Sequence, residues 1–445
     1  MSTDQELGRN IPVTGEYDVI VCGGGPTGFV AATAAARRGA KTLLLERYGF
    51  LGGTATAAMM VEFGGMHDGR QPLLGGVTHE FLHRLDAYGG THFTNAAAHS
   101  MIFDPESMVA VCQAMALENG VRLLLHTWIA GAITEGRRVM GVVVENKSGR
   151  QAIRGKVVID CTGDGDVAAR AGAAFGLGRP GDGKLQPVTL ELLLGNVDAT
   201  RVNYDHHKVL IPRIAAARQA GTWSIPTDQL FSWGRVHKRG APDDPQRAFF
   251  FINGTNAIDC DGTDAESLTA AEIQTRSQVD PMLEFLRANA PGFEHCYLDR
   301  AAAQIGIRET RRITGDYTLT RDDVLAARHF EDGVVPGCNS IDVHEVSGKA
   351  FAHEYLKQGT HYQIPYRCFL PKGLDGLLVA GRCLSADHFA LGSVRVMIVT
   401  MPMGDAVGIA AALATERSLT PRQVPVQDVQ AALQAQGTVL EPVGG

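Results

Sequence analysis

The chain has 445 residues, 45 % hydrophobic and 20 % charged, with a formal net charge of -7. That is an ordinary globular composition, and at roughly 150 residues per domain it suggests two or three domains. The acidic balance and the lack of a long lysine/arginine block exclude a nucleic-acid partner, and eight dispersed cysteines without a Cys-x-x-Cys pair exclude a disulfide framework or a cysteine-held iron–sulfur cluster.

The start, MSTDQELGRNIPVTGE, is polar and carries no apolar signal core, so a cytoplasmic protein is expected. Residues 17–22, YDVIVC, have the valine/isoleucine content of a buried parallel strand. Gly23, Gly25 and Gly28 follow at G-x-G-x-x-G spacing, and Gly28 opens a small-residue helix that ends at Gly39. A second apolar strand, KTLLLE, closes on Glu46. Such a βαβ unit with a trailing acid is the fingerprint of dinucleotide binding. Gly23 permits the tight turn, Gly25 lets the backbone approach a pyrophosphate, and Gly28 lets helix and strand pack closely. The helix N-terminus favours the phosphate charge, and Glu46 accepts ribose hydroxyls. Pro26, Thr27 and Arg47 join these expected contacts. Gly52, Gly53 and Thr54 suit a second loop against a long cofactor.

Residues 121–166 read as four short strands with turns at EGRR and KSGR, ending in Thr162, Gly163 and Asp164. GLGRPG at 176–181 repeats the glycine spacing without a preceding strand, and Pro180 stands where a helix would open, so one dinucleotide fold is expected. RAFFFING reads as a buried strand, and residues 267–293 as a helix pair interrupted at Pro281. IRETRRITGDY, with Arg308, Arg311, Arg312 and Tyr317, reads first as a charged helix with internal salt bridges. The strand at 377–380 stops at Gly381, and a helix begins near Ser393. The apolar stretch around VMIVTMPMG, broken by Asp405, falls short of a membrane span of about 20 residues. VPVQDVQAALQAQG ends the chain with one helix. No metal-ligand spacing is visible.

These blocks, in this order, resemble the FAD-dependent oxidoreductases of the glutathione-reductase-type flavoprotein superfamily. GIRETRRITGDYTLTRDDV at 306–324 and IPYRCFLPKGLDGLLVAGRCLSADHFALGSVRVM at 364–397 resemble more narrowly the FAD-dependent oxidoreductase family. The likeness runs over about residues 15–415. It implies an α/β fold: a Rossmann-like FAD-binding domain with a β-meander, interrupted by an inserted α+β substrate domain. The expected divisions are 15–175, 176–363 and 364–445. It implies extended FAD with its adenosine at Glu46 and Ile129 near the adenine. Thr162, Gly163 and Asp164 would return the chain to the cofactor, and Gly381 and Arg382 would approach the pyrophosphate and ribityl chain. A helix start at Gly392, Ser393 and Val394 would face the flavin's pyrimidine end, its dipole favouring the reduced anion. Many relatives have an acid where Arg382 stands.

The expected reaction moves a hydride between a small organic substrate and the flavin, as in a dehydrogenase or oxidase. His388 is a candidate acid or base, or a structural histidine bonding a loop carbonyl. Arg395 is a candidate for binding a substrate carboxylate or flavin O2, or a member of an ion pair. Arg308 is the third catalytic candidate, and His361, Tyr362 and Tyr366 are the candidate substrate contacts. An aromatic hydroxylase or halogenase is the alternative: DGDVAAR at 164–170 is similar to a hydroxylase motif, but its arginine falls one residue short and a serine is absent. A non-catalytic flavin-binding assembly or sensor is the third class. The expected partner is a small molecule, with no nucleic acid and no membrane span; the electron acceptor and self-association into a homo-oligomer are left open.

Overall fold

The first strand runs further than its apolar core. In the computed structural model, which describes residues 10–95, 100–227, 230–347 and 351–441, β1 spans Val13–Cys22 and its last four residues are buried. Helix α1 (Pro26–Arg37) starts on Pro26, where the missing N–H costs nothing and the ring presets φ. Strand β2 (Thr42–Leu45), wholly buried, pairs parallel with β1 from Val19↔Thr42 to Cys22↔Leu45. Helices α2 (Gly76–Tyr88) and α3 (Pro105–Glu118) follow, then β3 (Arg122–Leu124), a parallel neighbour of β2.

Strands β4 (Trp128–Glu135), β5 (Arg138–Asn146) and β6 (Gly149–Asp160) form two successive antiparallel hairpins. All four strands expected over 121–166 are therefore present: the first, β3, joins the parallel sheet, and the other three form a meander. It is no separate sheet. The first part of the 12-residue β6 pairs with β5 at Gly149–Arg154, while β6 pairs parallel with β1 along most of its length.

The interior of the chain adds a second sheet. Strands β7 (Leu192–Val197), β8 (Phe231–Val236), β9 (Ala248–Asn253) and β10 (Tyr297–Ala301) assemble antiparallel in the order β8-β9-β7-β10. Helices α4 (Ala265–Arg276) and α5 (Val279–Asn289) break at Ser277 and Gln278, ahead of Pro281. Pro281 is the third residue of α5, where its N–H would have had no intrahelical partner. The arginine-rich 306–313 segment is no helix; it is extended, with a short strand at Arg311–Ile313. A hairpin of β11 (Ile341–His344) and β12 (Phe351–Glu354) sets Asp342 opposite His353.

The chain then returns to the first sheet. Strand β13 (Leu377–Val379) pairs with Val158–Asp160 of β6, giving a parallel order β3-β2-β1-β6-β13. The expected helix start near Ser393 is two helices: α6 (His388–Val394) ends there, and α7 (Met397–Glu416) begins after extended Val396. The stretch expected to fall short of a bilayer is this 20-residue helix, whose length and mean hydropathy of 1.6 suffice for a span, but the whole apolar window is buried in protein. It is a core helix. A Cβ at Gly404 would lie 2.4 Å from Thr27 O, and one at Gly408 2.4 Å from Ala31 O, so only glycine permits this contact with α1. Asp405 breaks the apolar run for a structural purpose: its carboxylate accepts from Val77 N (2.8 Å), Thr78 N (3.2 Å) and Thr78 Oγ1 (2.6 Å) at the start of α2.

Candidate functional site

A cavity of about 460 Å³ opens beyond the carboxyl ends of β1, β6 and β13, where ligands of open parallel sheets bind. Gly23 has φ +98°, and a Cβ on it would stand 2.4 Å from Cys161 O; one on Gly28 would stand 1.8 Å from Gly23 O. Both therefore fix the strand–helix approach, with Gly28 behind the cavity wall. Gly25 differs: a Cβ there would meet nothing closer than Gly53 Cα at 3.9 Å, and the residue lines the cavity. It is also the N-cap of α1 with no side-chain cap, so the helix offers its end to the cavity, an anion-binding arrangement.

Glu46 is buried and accepts from Gly24 N (2.6 Å) and Tyr48 N (2.9 Å). Burial pushes its carboxyl up, and these N–H donors and Arg47 pull it back. Gly52 N donates to Gly24 O at 2.8 Å, docking the second glycine loop on the first; Gly53 and Thr54 face the cavity. Pro26, Thr27, Arg47, Thr162, Gly163, Asp164, Gly381 and Arg382 also line it. Asp164 accepts from Thr310 Oγ1 (2.8 Å) and Arg382 Nη2 (2.7 Å). Thus Arg382 is itself paired to an acid just past the end of β6, the neighbour of β13 in the sheet.

The same cavity continues into a polar chamber carrying Arg308, Asp342, His344, His353 and Arg395. Arg308 donates from Nη1 to Pro187 O (2.7 Å) and Thr189 Oγ1 (2.9 Å). Its burial and the charge of Arg395 pull it down to about 10. Arg395 donates from Nη2 to Asp342 O at 2.9 Å, and its Nε has no partner. His353 Nε2 lies 3.1 Å from Asp342 Oδ1, and His344 Nε2 lies 3.6 Å from Asp342 Oδ2. The histidine and arginine neighbours hold the Asp342 carboxyl far below its usual range, against burial. Burial and the charge of Arg308 hold the His344 imidazole down to about 4. Val396, Met397 and Thr400 at the uncapped start of α7 complete this end.

Other predicted residues stand elsewhere. His388 is buried away from the cavity lining, its Nδ1 2.9 Å from Glu309 Oε1. Arg395 follows the C-terminus of α6 and is not in the first turn of a helix, so the dipole of α6 favours it. Gly392, Ser393 and Val394 belong to α6 and do not line the cavity. Ser393 Oγ donates to Asn339 O at 2.6 Å, and Gly392 packs on Asp342 O, so α6 supports β11 from behind. The helix start that faces the cavity is the next one, α7. His361 lies 3.5 Å from Asp68 Oδ2, Tyr362 hydroxyl 2.7 Å from Ser393 Oγ, and Tyr366 donates to Pro421 O at 2.8 Å. All three are buried in the scaffold outside the cavity. Ile129 is on β4, outside the lining. Asp342, His344 and His353 escaped notice in the sequence. The signal was there: in IDVH, Asp342 and His344 alternate, and a two-residue period puts them on one face of a strand. No cluster of potential metal ligands occurs among the described residues.

Residues 18–433 match the family model described as FAD dependent oxidoreductase, and the chain belongs to that family. It is 32 % identical over 168 residues to digeranylgeranylglycerophospholipid reductase 2 of Methanopyrus kandleri, covering 36 % of this chain and 40 % of that one. It is 54 % identical over 46 residues to dihydrolipoyl dehydrogenase of Trypanosoma brucei brucei, 10 % of each chain. The match thus spans well under half of these curated relatives. Among solved structures, a geranylgeranyl bacteriochlorophyll reductase-like protein of Thermoplasma acidophilum aligns over 95 % of this chain and 84 % of its own at 15 % identity and TM-score 0.46. The OxyS anhydrotetracycline hydroxylase of Streptomyces rimosus aligns over 96 % and 66 % at 13 % identity and TM-score 0.47.

Proposed function

Starting from membership of this family, we propose that the enzyme moves a hydride between a small polar organic molecule and FAD, as a dehydrogenase or oxidase. The observation that carries this reading is continuity: the glycine cradle and the arginine–histidine chamber are one cavity. Gly25 and the start of α1 would hold the pyrophosphate, Glu46 the ribose, and Asp164 and Arg382 the chain leading to the ring. The start of α7 would face the flavin. FAD, when bound, supplies the two-electron acceptor, and its reduced anion is favoured by a helix N-terminus.

The chain's own residues do the rest. In the direction of substrate oxidation, the proton on the heteroatom beside the hydride-bearing carbon needs an acceptor. His344 is neutral at pH 7 because of its depressed pKa. With Nε2 turned to Asp342, its Nδ1 is the basic nitrogen. Asp342 orients this ring and Arg395 together. The second sheet and the β11–β12 hairpin form the substrate side, in a cap comprising about residues 176–363. The test is anaerobic addition of candidate metabolites to the FAD-loaded protein. Bleaching of the oxidised flavin by one of them, slowed in His344→Asn with FAD content unchanged, is expected; bleaching unaffected by that substitution overturns the assignment of the base.

A further inference from the structure

Two buried guanidiniums face the chamber, and both are tethered mainly to neutral oxygens. Arg308 spends Nη1 on a backbone carbonyl and a threonine hydroxyl. Arg395 spends Nη2 on a backbone carbonyl, with its closest carboxylate oxygen 3.7 Å away at Asp342. Arg308 has no carboxylate within 4.0 Å among the described residues. Other arginines of this chain are treated differently: Arg382 contacts Asp164 at 2.7 Å, and Arg312 is in direct contact with Glu309. Neutral tethers fix the direction of a guanidinium without cancelling its charge. Both side chains are nine-tenths buried or more, and a buried charge without a close partner is costly. The two also repel each other. The charges that act on them are Glu191 and Asp342 on Arg308, and Asp342, Glu309 and Arg382 on Arg395, with Asp342 also facing His344 and His353. Arg395 Nε remains without a hydrogen-bond acceptor.

We propose that Arg308 and Arg395 form a carboxylate clamp, and that the substrate of this enzyme is a small organic acid whose carboxylate lies between them. The proposal rests on reading the chamber as the substrate site. A planar carboxylate offers four lone-pair directions, and a guanidinium offers its N–H groups in a fork that matches them. The N–H groups of Arg395 not engaged with Asp342 O and those of Arg308 not engaged with Pro187 and Thr189 are the donors. The carboxylate would hold the reactive carbon of the acid near the start of α7 and near His344. Arg395 and Arg308 are thus binding residues that set substrate class.

The test titrates FAD-loaded protein with acetate, propionate and pyruvate, and with acetamide and propionamide as uncharged counterparts. Binding is read by the change in oxidised-flavin absorbance and by calorimetry, without turnover. At least one acid is expected to bind ten-fold or more tighter than its amide. Arg308→Gln and Arg395→Gln should each abolish that preference, and Arg308→Lys and Arg395→Lys should restore part of it. A wild-type protein without the preference overturns the clamp, and so does a preference that survives in both arginine variants. If Arg395 instead faces only the flavin, its Gln variant shifts the flavin reduction potential and keeps the acid preference, which also overturns the clamp. Should a Gln variant not fold, as judged by FAD content and thermal unfolding, its Lys variant and the wild-type comparison decide. The two readings fail separately: carboxylate preference with no acid bleaching the flavin sinks the redox reading alone, while bleaching by a neutral compound without the preference sinks the clamp alone.

Discussion

The two ends of the cavity are built from different material. The cradle around Gly23–Gly28 is backbone, drawn from two contiguous loops and two strand ends, and its specificity lies in atoms that are missing. The chamber is side chains, brought from Arg308, β11, β12 and the break between α6 and α7. A backbone site must be written locally, because a turn and a helix start are local events. A side-chain site can be scattered, because any rigid element can present one group. The cradle is consequently intolerant of added atoms, and the chamber of altered functional groups.

The sharpest break should come from adding atoms to the cradle. Gly28→Val places carbons against Gly23 O, where even a Cβ would be 1.8 Å away; protein purified from this variant should contain no FAD by absorbance. Retained FAD would show that the loop relaxes and that its geometry is not specified by the glycine. Next comes chemistry in the chamber. His344→Asn should keep FAD and slow flavin reduction by about 100- to 10,000-fold, the usual worth of a general base. The wild-type rate should stay flat from neutral pH down to about 5 and fall near pH 4, where the imidazole protonates; an acid limb near 6.5 would assign the proton transfer to another group.

The same histidine gives a smaller, thermodynamic effect. Its folded pKa, about 4, lies below the ordinary imidazole value of 6.5. Between these values the unfolded chain binds the proton and the folded chain does not, so stability from this group is lost as pH falls. His344→Asn should remove a destabilisation of about 3 kcal/mol at pH 4, read as a gain in thermal midpoint relative to wild type between pH 6.5 and 4. Asp160 and Asp405, each pushed up to about 6 by burial, have the opposite slope over pH 4–6, so only the comparison with wild type isolates the histidine. Glu46→Gln should weaken FAD by about 1–3 kcal/mol through lost charged hydrogen bonds, measured by apoprotein titration. The smallest effect falls outside both ends. Tyr366→Phe removes the bond to Pro421 O, costing about 1 kcal/mol in stability with no change in flavin reduction.

The cradle was legible because glycine spacing, a following helix and Glu46 are all constraints on neighbouring residues. Arg308 and Arg395 stand out by residue type within the late blocks, and both line the cavity. The misreadings share a cause. IRETRRITGDY carries helix-like charge spacing, and Arg312 does meet Glu309 three residues away, yet other partners are distant: Asp164 for Thr310 and Gly178 O for Arg312. His388, His361 and Tyr366 are chemically capable residues whose partners lie in the scaffold, and nothing local distinguishes such a residue from a catalytic one. The start of the last long helix was placed too early because ALGSVRVM has no strong breaker; the chain stops and restarts through the extended conformation of Val396 alone.

The glycine contacts of α7 carry a further consequence. Gly404 lies against Thr27 and Val30, and Gly408 against Ala31 and Ala34, so the two helices run in the same direction. Counting back to Pro26 and Met397 at about 1.5 Å per residue, the start of α7 projects beyond that of α1 by a little over one turn, about 7 Å. The stripe of small residues is therefore a length gauge. It sets the stagger between two positive helix ends that open on one cavity, and it does so deep in the core, out of reach of the loops that meet substrate. Loop sequences can then diverge to accept new molecules while the spacing between the two ends stays calibrated.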